Sequence, residues 1–264
     1  MELARRSRAS HSLLAFTEFT HPSWQSGAHH ARICDALEAV ERGELKRLMI
    51  TAPPRHTKSE LASRRFPAWY LGRHPDRQVI GCSYNGDLAT DIGRSVRNIV
   101  GSQEYAHLFP TRVMADSRAA ERWSTERGGM YIGAGIGGTI TGRGAHLGII
   151  DDPLKNREEA ESETVREKIW AWYTSTFYTR LMPGGAIVVV MTRWHDDDLG
   201  GRLLQQPGWT LLEMPAITDG AALWPEWYPL DVLHDIQHTI GPRDWSALYM
   251  QRPQVDTGDY FKRE

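Results

Sequence analysis

The chain has 264 residues, 41% hydrophobic and 24% charged, which is ordinary globular usage and excludes disordered, collagen-like and coiled-coil chains. Lys plus Arg number 31 against 33 Asp plus Glu, so bulk charge does not advertise nucleic acid, although a local basic strip is allowed. Cys34 and Cys82 lack partners at metal spacing, and the longest apolar stretch, Ala186 to Met191, falls far short of the ~20 residues that span a bilayer.

Residues 1–28 carry Arg5, Arg6 and Arg8 and read as an N-terminal arm and lead-in rather than a core element. Ile33, Leu37 and Val40 then recur at helical spacing, Gly43 stops that helix, and Leu48-Met49-Ile50 reads as a buried strand. A helix is predicted from Lys58, interrupted or kinked at Pro67, followed by a strand at Gln78 to Tyr84 and a helix with Leu88, Ala89, Ile92, Val96 and Ile99 on one face. Gly128 to Gly144 holds eight glycines and is expected to form a mobile loop within the domain, bounded by strands at Met130-Tyr131-Ile132 and Leu147 to Ile150. A charged helix at Glu158 to Tyr178, a buried strand at Ala186 to Met191 and a helix at Asp197 to Gln205 follow. The stretch Trp224 to Pro229 opens a C-terminal helical tail. Contiguous apolar strands alternating with helices imply an α/β fold with a mostly parallel sheet covered on both faces.

Three segments carry chemistry. Thr51-Ala52-Pro53-Pro54-Arg55-His56-Thr57-Lys58-Ser59 places Lys-Ser at a strand-to-helix junction, where backbone N–H groups, a Lys and a hydroxyl can cradle phosphate and Mg²⁺. Ala52 and Thr57 stand where G-x-x-x-x-G-K-[ST] has glycines, and a β-branched Thr57 hinders close approach of backbone to phosphate. Leu147 to Asp152 is an apolar strand ending in two carboxylates: Asp151 is the candidate metal acid, with Ser59, and Asp152 the candidate that orients or deprotonates water. Val188 to Thr192 is a buried strand whose tip should bring Thr192 and Arg193 near the transferred phosphate. Asp196, Asp197 and Asp198 read as helix capping rather than a metal site. Arg143, between glycines, is the candidate arginine finger in trans, and Arg55 the candidate in cis. Trp24 is expected in the core, with base stacking the alternative, and His29 and His30 at the surface.

With these pieces in order the chain resembles the ATPase domain of the large terminase subunit of tailed bacteriophages. The resemblance rests on APPRHTKSE, SYNGDLA, the GTITGRG run into IIDDP, SETVREKIWAWY, MTRWHDDDLGGRLL and RDWSALYMQRP. It implies an additional-strand, RecA-like P-loop NTPase fold with a small C-terminal helical lid. The implied divisions are 1–28 as arm, 29–220 as ATPase core, and 221–264 as lid and linker toward a nuclease domain that lies outside this chain. The implied activity is ATP hydrolysis with Mg²⁺, coupled to translocation of double-stranded DNA into a procapsid.

The same resemblance implies nucleotide binding by Pro54, Arg55, His56, Thr57, Lys58 and Ser59, metal association at Asp151, and coupling at Thr192. It places Asp152 where the family usually has a longer Glu. Implied partners are double-stranded DNA, portal protein, the small terminase subunit and further copies in a ring, with no membrane, in the host cell cytoplasm. DNA cleavage is not expected of these residues. Two rivals remain at this point: a nucleotide-binding regulatory module that does not hydrolyse, and a metal-dependent nuclease using Asp151, Asp152 and the acids after His195.

Overall fold

Apolar runs without polar alternation must be covered on both sides, and the sheet of this protein does that. The computed structural model describes residues 1–117 and 119–254. Seven strands, β1 (Arg47–Thr51), β2 (Gln78–Ser83), β3 (Arg122–Ser124), β4 (Met130–Gly135), β5 (Ala145–Asp151), β6 (Leu181–Met191) and β7 (Thr210–Glu213), lie in the order β3-β4-β2-β5-β6-β1-β7. All neighbours are parallel except β3 and β4. The strand β6 lies between β1 and β5, so the phosphate-loop strand and the carboxylate strand are separated by one inserted strand, as the resemblance implied.

Successive residues of each central strand serve opposite faces. Leu48, Ile50, Val188 and Val190 join the core beneath α2 (Leu13–Thr20), α3 (Ala28–Glu41), α4 (Phe66–Arg73) and α5 (Gly86–Val100). Met49, Ile187, Val189 and Met191 join the opposite core beneath α8 (Glu163–Trp172) and α9 (Leu199–Leu204). Each fully buried side chain of this kind contributes about 1.5–3 kcal/mol. The remaining helices are α1 (Glu2–His11), α6 (Gln103–Ala106), α7 (Arg157–Glu161) and α10 (Leu230–Asp244).

Several expectations need correction. The N-terminal stretch is no arm: α1 and α2 are regular helices, Ser12 caps α2 by accepting from the Ala15 N–H, and Leu13 and Phe16 are fully buried in the main core. The short apolar run there is the contact stripe of a docked helix. Phe16→Ala should therefore cost about 3–5 kcal/mol in denaturant unfolding, whereas loss of a mere arm contact would leave the midpoint unchanged.

After the phosphate loop the first turn is π-helical, Glu60–Arg65. The helical backbone continues through Arg65 and Phe66 into α4, so the irregularity expected at Pro67 takes the form of a change from π- to α-helical winding just before it. The charged helix expected at 158–178 is broken at Ser162, which caps α8 by accepting from the Val165 N–H. The strand β4 occupies Met130–Gly135, leaving 136–144 as the connection to β5, with Ile140 buried in it. Residues 255–264, the end of the expected lid and linker, lie outside the described residues. Among the described residues no helix is long and apolar enough to cross a membrane.

Candidate active site

Three parallel strands end at one edge of the sheet, and the residues just beyond them meet. The Thr192 amide at the tip of β6 donates to Asp152 Oδ1 at 2.9 Å, and Asp152 N–H donates to the Val190 carbonyl at 2.8 Å. Asp152 takes a left-handed backbone, φ 44°, which turns its side chain away from the course of β5. Lys58 Nζ donates to Thr192 Oγ1 at 2.8 Å and lies 4.0 Å from Asp152 Oδ2. Ser59 Oγ donates to Asp151 Oδ1 at 2.8 Å. Lys58 and Asp151 are buried, while the Asp152 side chain remains a third exposed.

The electrostatics follow from this placement. Burial, and then the neighbouring Asp152 carboxylate, push the Asp151 carboxyl upward from the usual carboxylate range, opposed by the Ser59 hydroxyl and Lys58. A cation beside Asp151 would relieve both the burial and the like-charge repulsion. The hydroxyl of Ser59 and the carboxylate of Asp151 are hard oxygen donors, the set Mg²⁺ accepts alongside phosphate oxygens and water. Among the described residues no group of three or more His, Cys, Asp and Glu could hold a metal ion.

The loop itself is strained. Arg55 and Thr57 adopt φ of 63° and 58°, left-handed values that cost a β-branched residue such as Thr57 about 1–3 kcal/mol. Left-handed residues on either side of His56 curl the chain, with the His56 N–H donating to the Pro53 carbonyl at 3.4 Å, a bend of the kind that can turn neighbouring N–H groups toward an anion. Pro54, Arg55, Thr57, Lys58 and Ser59 line a cavity of about 1070 Å³ together with Asp152 and Thr192. One wall of it is aromatic, with Trp24, Trp224, Trp227 and Tyr228; Arg64, Tyr84 and Lys155 also line it.

Other candidates fall elsewhere. The His56 ring is buried, stacked on Tyr228 at 4.7 Å, with its Nδ1–H donating to the Pro54 carbonyl, so only its backbone faces the loop. Arg193 does not reach toward phosphate: its Nε donates to both Asp198 oxygens at 3.0 and 3.1 Å, inside the protein. Asp198 also caps α9 through the Gly201 N–H, and Asp197 pairs with Arg166 and Arg202, so these acids serve the helix start as expected. Arg143 precedes β5 at the end of the sheet opposite the carboxylates, beyond reach of this chain's own phosphate loop. His29 and His30 are not at the surface but fully buried beside the loop. Trp24 lies half-buried against the core and lines the cavity as well.

His30 was expected at the surface, and Trp227 and Tyr228 had no expected role at the site. No spacing relates them to Lys58; the unusual count of ten Trp, with Trp224 and Trp227 flanking a turn, was the available signal.

The family described as "Terminase large subunit, T4likevirus-type, N-terminal" matches residues 49–238. The chain belongs to that family. Its fold is similar to that of the large terminase of bacteriophage HK97, with TM-score 0.59 and 13% identity over 92% of this chain and 55% of that one. It is also similar to the large terminase ATPase domain of Thermus phage P74-26, with TM-score 0.61 and 15% identity over 90% of this chain and 96% of that one. This terminase chain thus spans about half the length of the HK97 protein and nearly all of the P74-26 domain. Comparison with curated proteins returns no match.

Proposed function

We propose that this chain is the ATP-hydrolysing motor domain of a terminase that packages double-stranded DNA into a procapsid. The reading is carried by one observation: Lys58, Thr192 and Asp152 form a bonded group at adjacent strand tips, with the Ser59–Asp151 pair beside it. Family membership supports it, and so does the fold shared with solved terminase ATPase domains.

Phosphoryl transfer to water needs positioning and charge neutralisation more than covalent chemistry. The loop N–H groups and Lys58 would hold the β- and γ-phosphates, and Lys58 would exchange its contact with Thr192 for phosphate oxygen. Asp152, held by the Thr192 amide, would orient the attacking water and accept its proton. Mg²⁺, held by Ser59 and Asp151, would supply charge neutralisation at the phosphate oxygens. Arg55, which lines the cavity, would add charge in cis, and Arg143 would act in the site of a neighbouring copy. Thr192, bonded to both Lys58 and Asp152, would register loss of the γ-phosphate and pass it to β6.

The full motor would engage DNA, portal protein, the small terminase subunit and further copies in a ring. DNA contacts would be to phosphates and strongly salt-dependent.

The test is hydrolysis of Mg·ATP by the full chain, beside a DNA-cutting assay with Mg²⁺ or Mn²⁺ and no nucleotide. Turnover of ATP is expected. Binding without turnover would favour a regulatory module, and metal-dependent cutting without ATP would favour a nuclease. The nuclease reading finds no support in Asp197 and Asp198, which are committed to Arg166, Arg202, Arg193 and the cap of α9, while Asp196 lies against the His195 ring.

A further inference from the structure

The phosphate loop has a β-branched residue, Thr57, in the left-handed conformation at the position before the lysine, where a phosphate-loop pattern has glycine. Something outside the loop must hold it there. The contacts around Thr57 show what does. The Gly27 N–H donates to His30 Nδ1 at 2.7 Å, so that nitrogen carries no proton and the neutral ring carries it on Nε2. His30 Nε2 lies 2.7 Å from Thr57 Oγ1 and therefore donates to it. The Thr57 hydroxyl in turn donates to the His56 carbonyl at 2.8 Å, and His29 Nε2 approaches the same carbonyl at 3.3 Å.

In a trans peptide the carbonyl and the following N–H point opposite ways. Holding the His56 carbonyl toward α3 therefore directs the Thr57 N–H away from α3, and Thr57 lines the cavity. The chain of donors is rigid: the His30 ring is fully buried and lies 4.8 Å from both the Trp24 and Trp224 rings. Burial, then the neighbouring His29 and His56, push the His30 ring down to about 3, so the neutral tautomer persists at any working pH.

Resting on the ATP-site reading above, we propose that His30 is a positioning residue of the phosphate loop: with Thr57 it replaces the missing glycine, fixing the His56–Thr57 peptide so that its N–H faces the triphosphate. His30 itself does not touch nucleotide. The role belongs to the pair, because the hydroxyl that relays the contact sits on the residue that creates the strain.

A double-mutant cycle in the full chain tests this, with KM and kcat for Mg·ATP and calorimetric binding of Mg·ATPγS as readouts. His30→Phe keeps the aromatic packing and removes the donor. It should raise KM about tenfold with kcat changed by less than about threefold, the size expected for one lost buried hydrogen bond. In a Thr57→Gly background, where no strain needs holding, the same change should alter KM by less than about threefold. His30→Gln, which keeps a donor near Nε2, should recover part of the loss. Equal effects of His30→Phe in both backgrounds, or none in either, would overturn the proposal.

If His30→Phe fails to fold, Thr57→Val decides: it keeps the branched shape and deletes the relay, so the tenfold rise in KM is expected and a wild-type KM overturns the pair. A wild-type chain that bound no Mg·ATP would overturn the ATP-site reading and this one together. Normal wild-type binding with an additive cycle overturns this one alone.

Discussion

Lys58→Ala is expected to lower kcat/KM for ATP by about 10³-fold, roughly 4 kcal/mol of transition-state stabilisation. The Lys58 amine is buried, bonded to Thr192 Oγ1 at 2.8 Å and 4.0 Å from Asp152. Its removal leaves the Asp151 and Asp152 carboxylates facing a triphosphate without the one buried cation bonded to Thr192, so both binding and turnover should suffer. Lys58→Arg should not restore activity, because a planar guanidinium cannot occupy a slot shaped for a compact ammonium. Single-turnover hydrolysis is the measurement. Equal rates for wild type and Lys58→Ala would remove the ATPase reading.

Asp152→Asn is expected to lower kcat by about 10²–10⁴-fold while KM changes little, since the residue is assigned to the water rather than to the phosphates. The Thr192 amide fixes one carboxylate oxygen and the left-handed backbone fixes the direction of the side chain. An asparagine preserves that contact through its carbonyl oxygen and loses the proton acceptor. Asp152→Glu restores the charge on an arm one methylene longer, so it should retain more turnover than Asp152→Asn. The reverse order, measured under saturating Mg·ATP, would show that Asp152 holds structure and does not handle the proton.

The legible parts of the molecule were those in which a local pattern has only one stable use. Leu48 to Ile50 and Ala186 to Met191 lack polar alternation, so they had to be strands covered on both faces, and each does divide its residues between two cores. Lys-Ser after one such strand and Asp-Asp after another had to lie at the carboxyl edge of a parallel sheet, where Lys58, Asp152 and Thr192 do meet. The acids after His195 belonged to a helix start for the same local reason.

The misreadings share a different cause. Leu13 and Phe16 belong to a helix of eight residues, so nothing within it reveals that α3, the π-helical turn, α4 and α6 supply the apolar surface it covers. Arg193 looked available because it follows a strand tip; Asp198, five residues on, claims its guanidinium. His29 and His30 looked exposed because polar residues open a helix, yet the fold places them under Trp224.

Fold class, sheet polarity and the identity of the lysine, serine and paired aspartates were therefore written in consecutive residues, because hydrophobic periodicity and strand-end chemistry act over less than ten positions. The conformation of Thr57, the ring that holds it and the aromatic wall of the cavity were set by packing between segments far apart in the chain. Contacts of that kind depend on how α3 and the C-terminal segment dock against the sheet, and docking is an outcome of the whole core rather than of any local run.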